Sequence, residues 1–266
     1  MSLYKYIIRL FSTNTAYRLF LLKLRIVEKI PFYRALRRLA NPYREILARN
    51  VWGIDFKSPI GLGAGMDKDA RYYNSFSDYG LGFVMTGPTE SAAGVRRAIE
   101  NIRNDKPRTV IAMCIGSDHL TSFSLAYDFA DMFIIDAPGN DFEKVIGDVL
   151  DARLTYETHK PVLYRIGREY SRESLESLLN CCLINGIDGF LVGSEDYVSK
   201  VNAFCSGRVP IIGYGKIRTP QTAASMLAAG ASLIAITTGL VLDGPSLIRK
   251  TLKYLEQKAE KDEAGI

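Results

Sequence analysis

Three groups of residues in this chain have the types and the spacing for chemistry. The first is Gly213-Tyr214-Gly215-Lys216-Ile217, followed further on by Thr237-Thr238-Gly239. Glycines let backbone N–H groups approach phosphate oxygens, and threonines add donors, so this pair reads as a phosphate site. The plainer alternative is two glycine-rich turns. The second group is Gly63-Ala64-Gly65-Met66-Asp67-Lys68-Asp69. Its small residues let a flat ring lie against backbone, and Lys68 can place a charge near that ring or near an anionic substrate. A turn with a solvated lysine is the alternative. The third is Arg165, which follows the apolar run Val162-Leu163-Tyr164. An unpaired guanidinium is costly to bury, so a ligand or a carboxylate partner is implied, with Asp136 the candidate partner. The pleat decides whether Arg165 faces a pocket or a wall.

These groups need a frame that brings them together. Eight short β-rich runs are present: Pro59–Gly63, Gly82–Thr86, Thr109–Ile115, Met132–Asp136, Val162–Ile166, Gly189–Gly193, Val209–Gly213 and Ser232–Thr237. Most are almost wholly apolar, as parallel strands covered on both sides must be. Stretches with helical pattern lie between them, among them Ala70–Tyr79, Ser91–Asn104, Phe142–Thr158, Arg172–Ile184, Thr219–Ala229 and Pro245–Ala259. Gly80 and Gly186 stand where helix C-terminal glycines belong, and Thr219-Pro220 reads as an N-cap with proline at the first helical position. Eight alternations predict an α/β protein, a closed (β/α)8 TIM barrel over residues 49–266. Chemistry then belongs at the C-terminal ends of the strands, where all three groups fall.

The chain has 266 residues, 47% hydrophobic and 24% charged, which excludes disorder and low-complexity arrays. Four cysteines without metal-ligand spacing point to a reducing, cytoplasmic setting, and two histidines argue against a metal site. The net charge of +5 is uneven. Residues 1–49 hold eleven Lys and Arg against Glu28 and Glu45, so the rest is mildly acidic. Residues 1–48 read as a basic, amphipathic helical extension. A short apolar helix pattern at Tyr4–Phe11 precedes a helix at Ala16–Lys29, capped from Ser12–Thr15, and a segment at Pro31–Leu39. Charges interrupt every apolar run, so neither a membrane span nor a signal peptide is expected. Two readings stay open for residues 1–39: helices on an anionic membrane surface, or a cap on their own domain. A nucleic-acid arm is weaker, because the basic residues share no single face.

Three stretches resemble the dihydroorotate dehydrogenase family, in its membrane-associated, quinone-dependent class. They are Phe56–Lys68, Val209–Ile217, and Ala229–Leu233 through Thr238-Gly239 and Gly244-Pro245. The resemblance implies an FMN-binding barrel that oxidises dihydroorotate, or a related small anionic substrate, and passes electrons to quinone. It moves residues 1–39 toward a membrane surface, peripheral on the inner face of the cell membrane. It implies cofactor contacts at Gly63, Ala64, Gly65, Lys68, Arg165, Gly213, Gly215, Lys216, Thr237, Thr238 and Gly239, with Asp136, Arg165 and Lys68 as the catalytic set. The departures are specific. The family's serine base matches Ala137, which cannot accept a proton, and Asp136 is the one local substitute. Cys114, Ile134 and Ser194 stand where family members carry asparagines. Arg165 replaces a lysine, and Lys216 replaces a glycine. The alternatives are a family member without catalysis that binds FMN, another phosphate ligand or no flavin, and a barrel enzyme acting on a phosphorylated metabolite.

Overall fold

The computed structural model describes residues 12–89, 91–105, 107–136, 141–167 and 170–264. The expected helix at Tyr4–Phe11 and the position of Ala137 lie outside the described residues. The eight apolar runs form a closed parallel barrel: β3 (Ile60–Leu62), β4 (Phe83–Thr89), β5 (Val110–Ile115), β6 (Met132–Ile135), β7 (Val162–Ile166), β8 (Gly189–Val192), β9 (Ile211–Tyr214) and β10 (Leu233–Ile236). Each pairs with the next in chain order, and β10 closes on β3 with Ile236 opposite Leu62. The fold is a (β/α)8 TIM barrel.

Alternation along each strand sorts side chains into two shells. Phe83, Met85, Ala112, Cys114, Met132, Ile134, Leu163, Leu191, Ile212, Leu233 and Ala235 fill the interior. Their neighbours, such as Val84, Met113, Phe133, Tyr164, Phe190 and Ile234, pack outward into the larger core. That outer core meets helices that include α4 (Ala92–Asn104), α6 (Phe142–Arg153), α7 (Arg172–Asn185), α9 (Pro220–Ala228) and α11 (Ser246–Ala264). Thr219 caps α9 through the N–H of Thr222, and Gly186 ends α7 in the left-handed conformation.

The lower, N-terminal end of the barrel is closed by a hairpin that the periodicity does not announce. It comprises β1 (Arg49–Val51) and β2 (Ile54–Phe56). Its turn places Trp52 at φ 54° and Gly53 at φ 74°, the positive values that a two-residue hairpin turn demands. Left-handed backbone is unusual for tryptophan, and its side chain is fixed elsewhere. The indole N–H donates to the Asp188 carbonyl at 2.7 Å, and Phe56 sits edge-on to Phe83 inside the barrel.

Two helices precede the hairpin, α1 (Thr13–Glu28) and α2 (Pro31–Ala40). Ser12 caps α1 by accepting from Thr15 N–H. One face of α1 is buried through Ala16, Phe20 and Leu24, with Phe20 stacked on Phe76 at 6.2 Å. The opposite side of α1 leaves Leu22 and Ile26 exposed, and α2 leaves Phe32, Leu36 and Leu39 exposed, Leu39 by 80%. Two expected helices are shorter than their patterns. The segment Ala70–Tyr79 is helical only in α3 (Tyr73–Ser77), because both Asp67 oxygens accept the N–H groups of Arg71 and Tyr72 and hold a turn there. The helix beginning at Phe142 stops at Arg153, whose guanidinium pairs with Asp188.

Candidate functional site at the barrel mouth

The interior parity of each strand decides what reaches the mouth. Leu163 points inward, so Arg165 does too; Ile134 and Ile212 do the same for Asp136 and Tyr214. These three side chains meet above the packed interior. Arg165 Nη1 donates to Asp136 Oδ2 at 2.6 Å, and Arg165 Nε donates to the Tyr214 hydroxyl at 3.1 Å. The guanidinium also lies 5.4 Å from the centre of the Tyr214 ring. Arg165 is 38% exposed and Asp136 only 11%. Burial on its own would lower the Arg165 pKa. The hydrogen bond with Tyr214 and the charge of Asp136 outweigh burial and hold it above its ordinary value. Below the pair, burial first and the Asp136 charge second push the Cys114 thiol up, so it stays protonated.

A cleft of about 440 Å³ opens beside this cluster. Its floor includes Gly63, Ala64 and Gly65, with Met85 and Leu191 from the barrel interior. Thr237 and Thr238 bound one end, and Arg165 and Tyr214 stand on the wall. A Cβ at Gly63 would sit 2.5 Å from Thr237 Cγ2, so that glycine allows the first and last strand ends to close up. Gly65 has φ +87° and faces space, where an added Cβ would meet no described atom within 4 Å. The roof comes from α1, which contributes Asn14 and Tyr17. The Tyr17 hydroxyl donates to the Met66 carbonyl at 3.0 Å. Burial, then the charge of Asp67, raises the Tyr17 pKa and keeps that proton in place.

Six of the residues singled out from the sequence therefore line one cleft: Gly63, Ala64, Gly65, Arg165, Thr237 and Thr238. Asp136 joins them through Arg165. The others lie apart from the lining. Lys68 is exposed, and its carbonyl accepts the Gly87 N–H at 3.2 Å. Gly213 faces outward, where a Cβ would come 2.5 Å from Met226 Cγ on α9. Lys216 is exposed, and Gly215 adopts φ +133°. A Cβ at Gly239 would come 2.2 Å from the Ile217 carbonyl oxygen, so this glycine draws the two glycine-rich segments together. Sequence reasoning missed Tyr214, Asn14 and Tyr17. Tyr214 was legible, since it stands two residues beyond interior Ile212; the α1 pair depends on how that helix docks.

Known proteins are similar to this chain in sequence and in fold. The dihydroorotate dehydrogenase family model matches residues 193–258, the stretch that supplies the last two strand ends. A dihydroorotate dehydrogenase (quinone) of Idiomarina loihiensis is 25% identical, over 77% of this chain and 86% of the relative. One from Salinispora arenicola is 27% identical, over 81% and 86%. The ligand-free DHODH of Eimeria tenella superimposes with a TM-score of 0.78 over 96% of each chain, at 18% identity. In sequence over most of its length and in fold, the chain is similar to the dihydroorotate dehydrogenases, of which the curated relatives are the quinone-dependent kind.

Proposed function

We propose that the mouth cleft binds FMN and that the protein is a dihydroorotate dehydrogenase-like flavoprotein acting on a small anionic substrate. One observation carries this reading: a backbone floor at Gly63–Gly65, a hydroxyl-bearing end at Thr237–Thr238 and a cationic wall at Arg165 share one cleft. Its volume suits a ligand of that class, for which roughly 300–1,000 Å³ is usual. The residues fit the group. The glycines would face a flat ring, the threonines would donate to a phosphate, and Arg165 would face the electron-rich edge of the ring or the substrate's carboxylate. Bound FMN supplies hydride acceptance, which no side chain here can offer. The protein's own part is to bind, orient and hold charge. Asp136 fixes the guanidinium from below, and α1 covers the cleft.

A second reading, FMN binding without turnover of dihydroorotate, is favoured by the Arg165–Asp136 contact. Asp136 Oδ2 accepts from the guanidinium at 2.6 Å, so this carboxylate is already engaged in holding Arg165. Purified protein incubated with FMN and desalted should keep a visible flavin spectrum at near one equivalent. A colourless product would overturn both readings. With flavin retained, dye reduction that depends on added dihydroorotate supports the first, and its absence supports the second.

The outer face of α1 and α2 carries exposed Leu22, Ile26, Phe32, Leu36 and Leu39 among Arg18, Lys23, Arg25 and Lys29. No helix among the described residues is long and apolar enough to cross a membrane. We infer peripheral attachment through this face, whose α1 part adjoins the roof of the cleft, where a quinone would arrive. The full chain should sediment with vesicles containing anionic lipid, and Phe32→Asp with Leu39→Asp should reduce the bound fraction at least fivefold. Equal sedimentation of both proteins would leave α1 and α2 as a cap alone.

A further inference from the structure

A second concentration of charge lies at the opposite end of the barrel, outside the cleft just described. The carboxylate of Asp78, with its side chain 1% exposed, is shared by three guanidiniums. Arg38 Nε lies 2.9 Å from Oδ1, Arg108 Nη2 lies 3.3 Å from Oδ1, and Arg34 Nε lies 3.3 Å from Oδ2. Arg37, on the same helix as Arg34 and Arg38, is 8% exposed and stacks 5.0 Å over the Tyr79 ring. Its three guanidinium nitrogens are buried without a hydrogen-bond partner among the described residues, and so is Nη2 of Arg34. Burial first, and then Arg38 and Arg34 acting against the help of Asp78, lower the Arg108 pKa.

The charges do not balance. Asp105 acts on Arg108 from nearby, and Arg44 has its own partner in Glu256 at 2.9 Å. A cleft of about 270 Å³ opens here. Among the described residues that line it, four are cations (Arg38, Arg44, Lys57 and Arg108) and one is a carboxylate, Asp78; Arg34 and Arg37 are not in the lining. The cleft lies just before the starts of β3, β4 and β5, next to Ser58, Leu81 and Arg108. A folded chain gains little by gathering four cations round one lining carboxylate unless a further counter-charge completes them.

We propose that this lower cleft is a binding site for a small, multiply charged phosphate group. Planar guanidiniums match phosphate oxygens in pairs, and a lysine at the rim adds a point charge. The volume holds a phosphate or pyrophosphate, whereas a nucleotide needs more. The phosphate can come free in solution or on a lipid headgroup, since exposed Leu39 and Tyr43 border the same corner.

The test uses the full chain with sodium pyrophosphate against sodium chloride at equal ionic strength, read by thermal shift and calorimetry. A rise in Tm of about 5 °C at saturation is expected. In an Arg165→Ala background, where anion binding at the mouth is lost, pyrophosphate binding should persist, and Lys57→Gln and Arg38→Gln should each weaken its calorimetric Kd about tenfold. Lys57 is exposed, so its variant folds and keeps the comparison fair. If pyrophosphate gives no response, vesicles carrying phosphatidic acid are compared with vesicles carrying phosphatidylserine at equal charge. A preference for the phosphomonoester that Lys57→Gln abolishes supports the site with a lipid source. No response in either arm overturns the proposal, as does pyrophosphate binding that Arg165→Ala removes and Lys57→Gln leaves intact.

Discussion

Asp78→Ala is expected to lower the Tm by roughly 10 °C. The carboxylate is 1% exposed, accepts from Arg34 and Arg108, and is ion-paired with Arg38, so its partners come from two distant parts of the chain. Removing one member of a buried ionic cluster leaves the others uncompensated, at about 3–5 kcal/mol. Arg38 is half exposed and can turn to water, so about 3 kcal/mol is the better figure. In a chain of this size that corresponds to about 6–12 °C. Asp78→Asn keeps the shape and loses the charge, and it should fall between wild type and alanine. A change below about 2 °C in thermal unfolding of the alanine variant would show that Asp78 is not the counter-ion of the cluster.

Arg165→Ala should remove anion binding at the mouth, weakening it by at least about thirtyfold. The loss has two parts. The guanidinium itself disappears, and Asp136, 11% exposed, is left as an unpaired negative charge beside the cleft. The second part is separable. The double variant Arg165→Ala with Asp136→Asn should regain part of the affinity, although it has lost both native charges. Arg165→Lys should be intermediate, since an ammonium cannot hold Asp136 and Tyr214 together as the guanidinium fork does. Titration with FMN, followed by quenching of flavin fluorescence, reads all three. If the single and double variants bind equally, the ion pair has no part in the site.

Much of this frame is legible in the sequence because burial on both faces forces strands to be apolar. Ile111, Phe133, Leu163 and Ile234 admit no other reading, and the expected strand limits lie close to the observed ones. Inward and outward positions then follow from counting in twos. The same count applied to Ile212 would have put Tyr214 in the mouth beside Arg165. Elements that owe their shape to distant partners left no such trace. The β1–β2 hairpin has three-residue strands, too short for a period, and Trp52 keeps its left-handed backbone through a contact with Asp188. The cluster at Asp78 joins residues 30 and 44 positions away, and nothing near it in the chain marks it as a meeting point. Glycines gave mixed signals for a similar reason. Gly63 and Gly213 look alike in sequence, yet one closes the mouth and the other makes room for Met226.

The plugged lower end has a consequence for traffic. Phe56 and Phe83 block the barrel from below, and layers of apolar side chains fill its middle. Whatever enters the mouth must therefore leave by the mouth, where Asn14 and Tyr17 on α1 form part of the lining. The cleft behaves as a turnstile, not a corridor. Two co-reactants that each need the same standing place have to come and go in turn, and the later one can be served only after the first has cleared the gate.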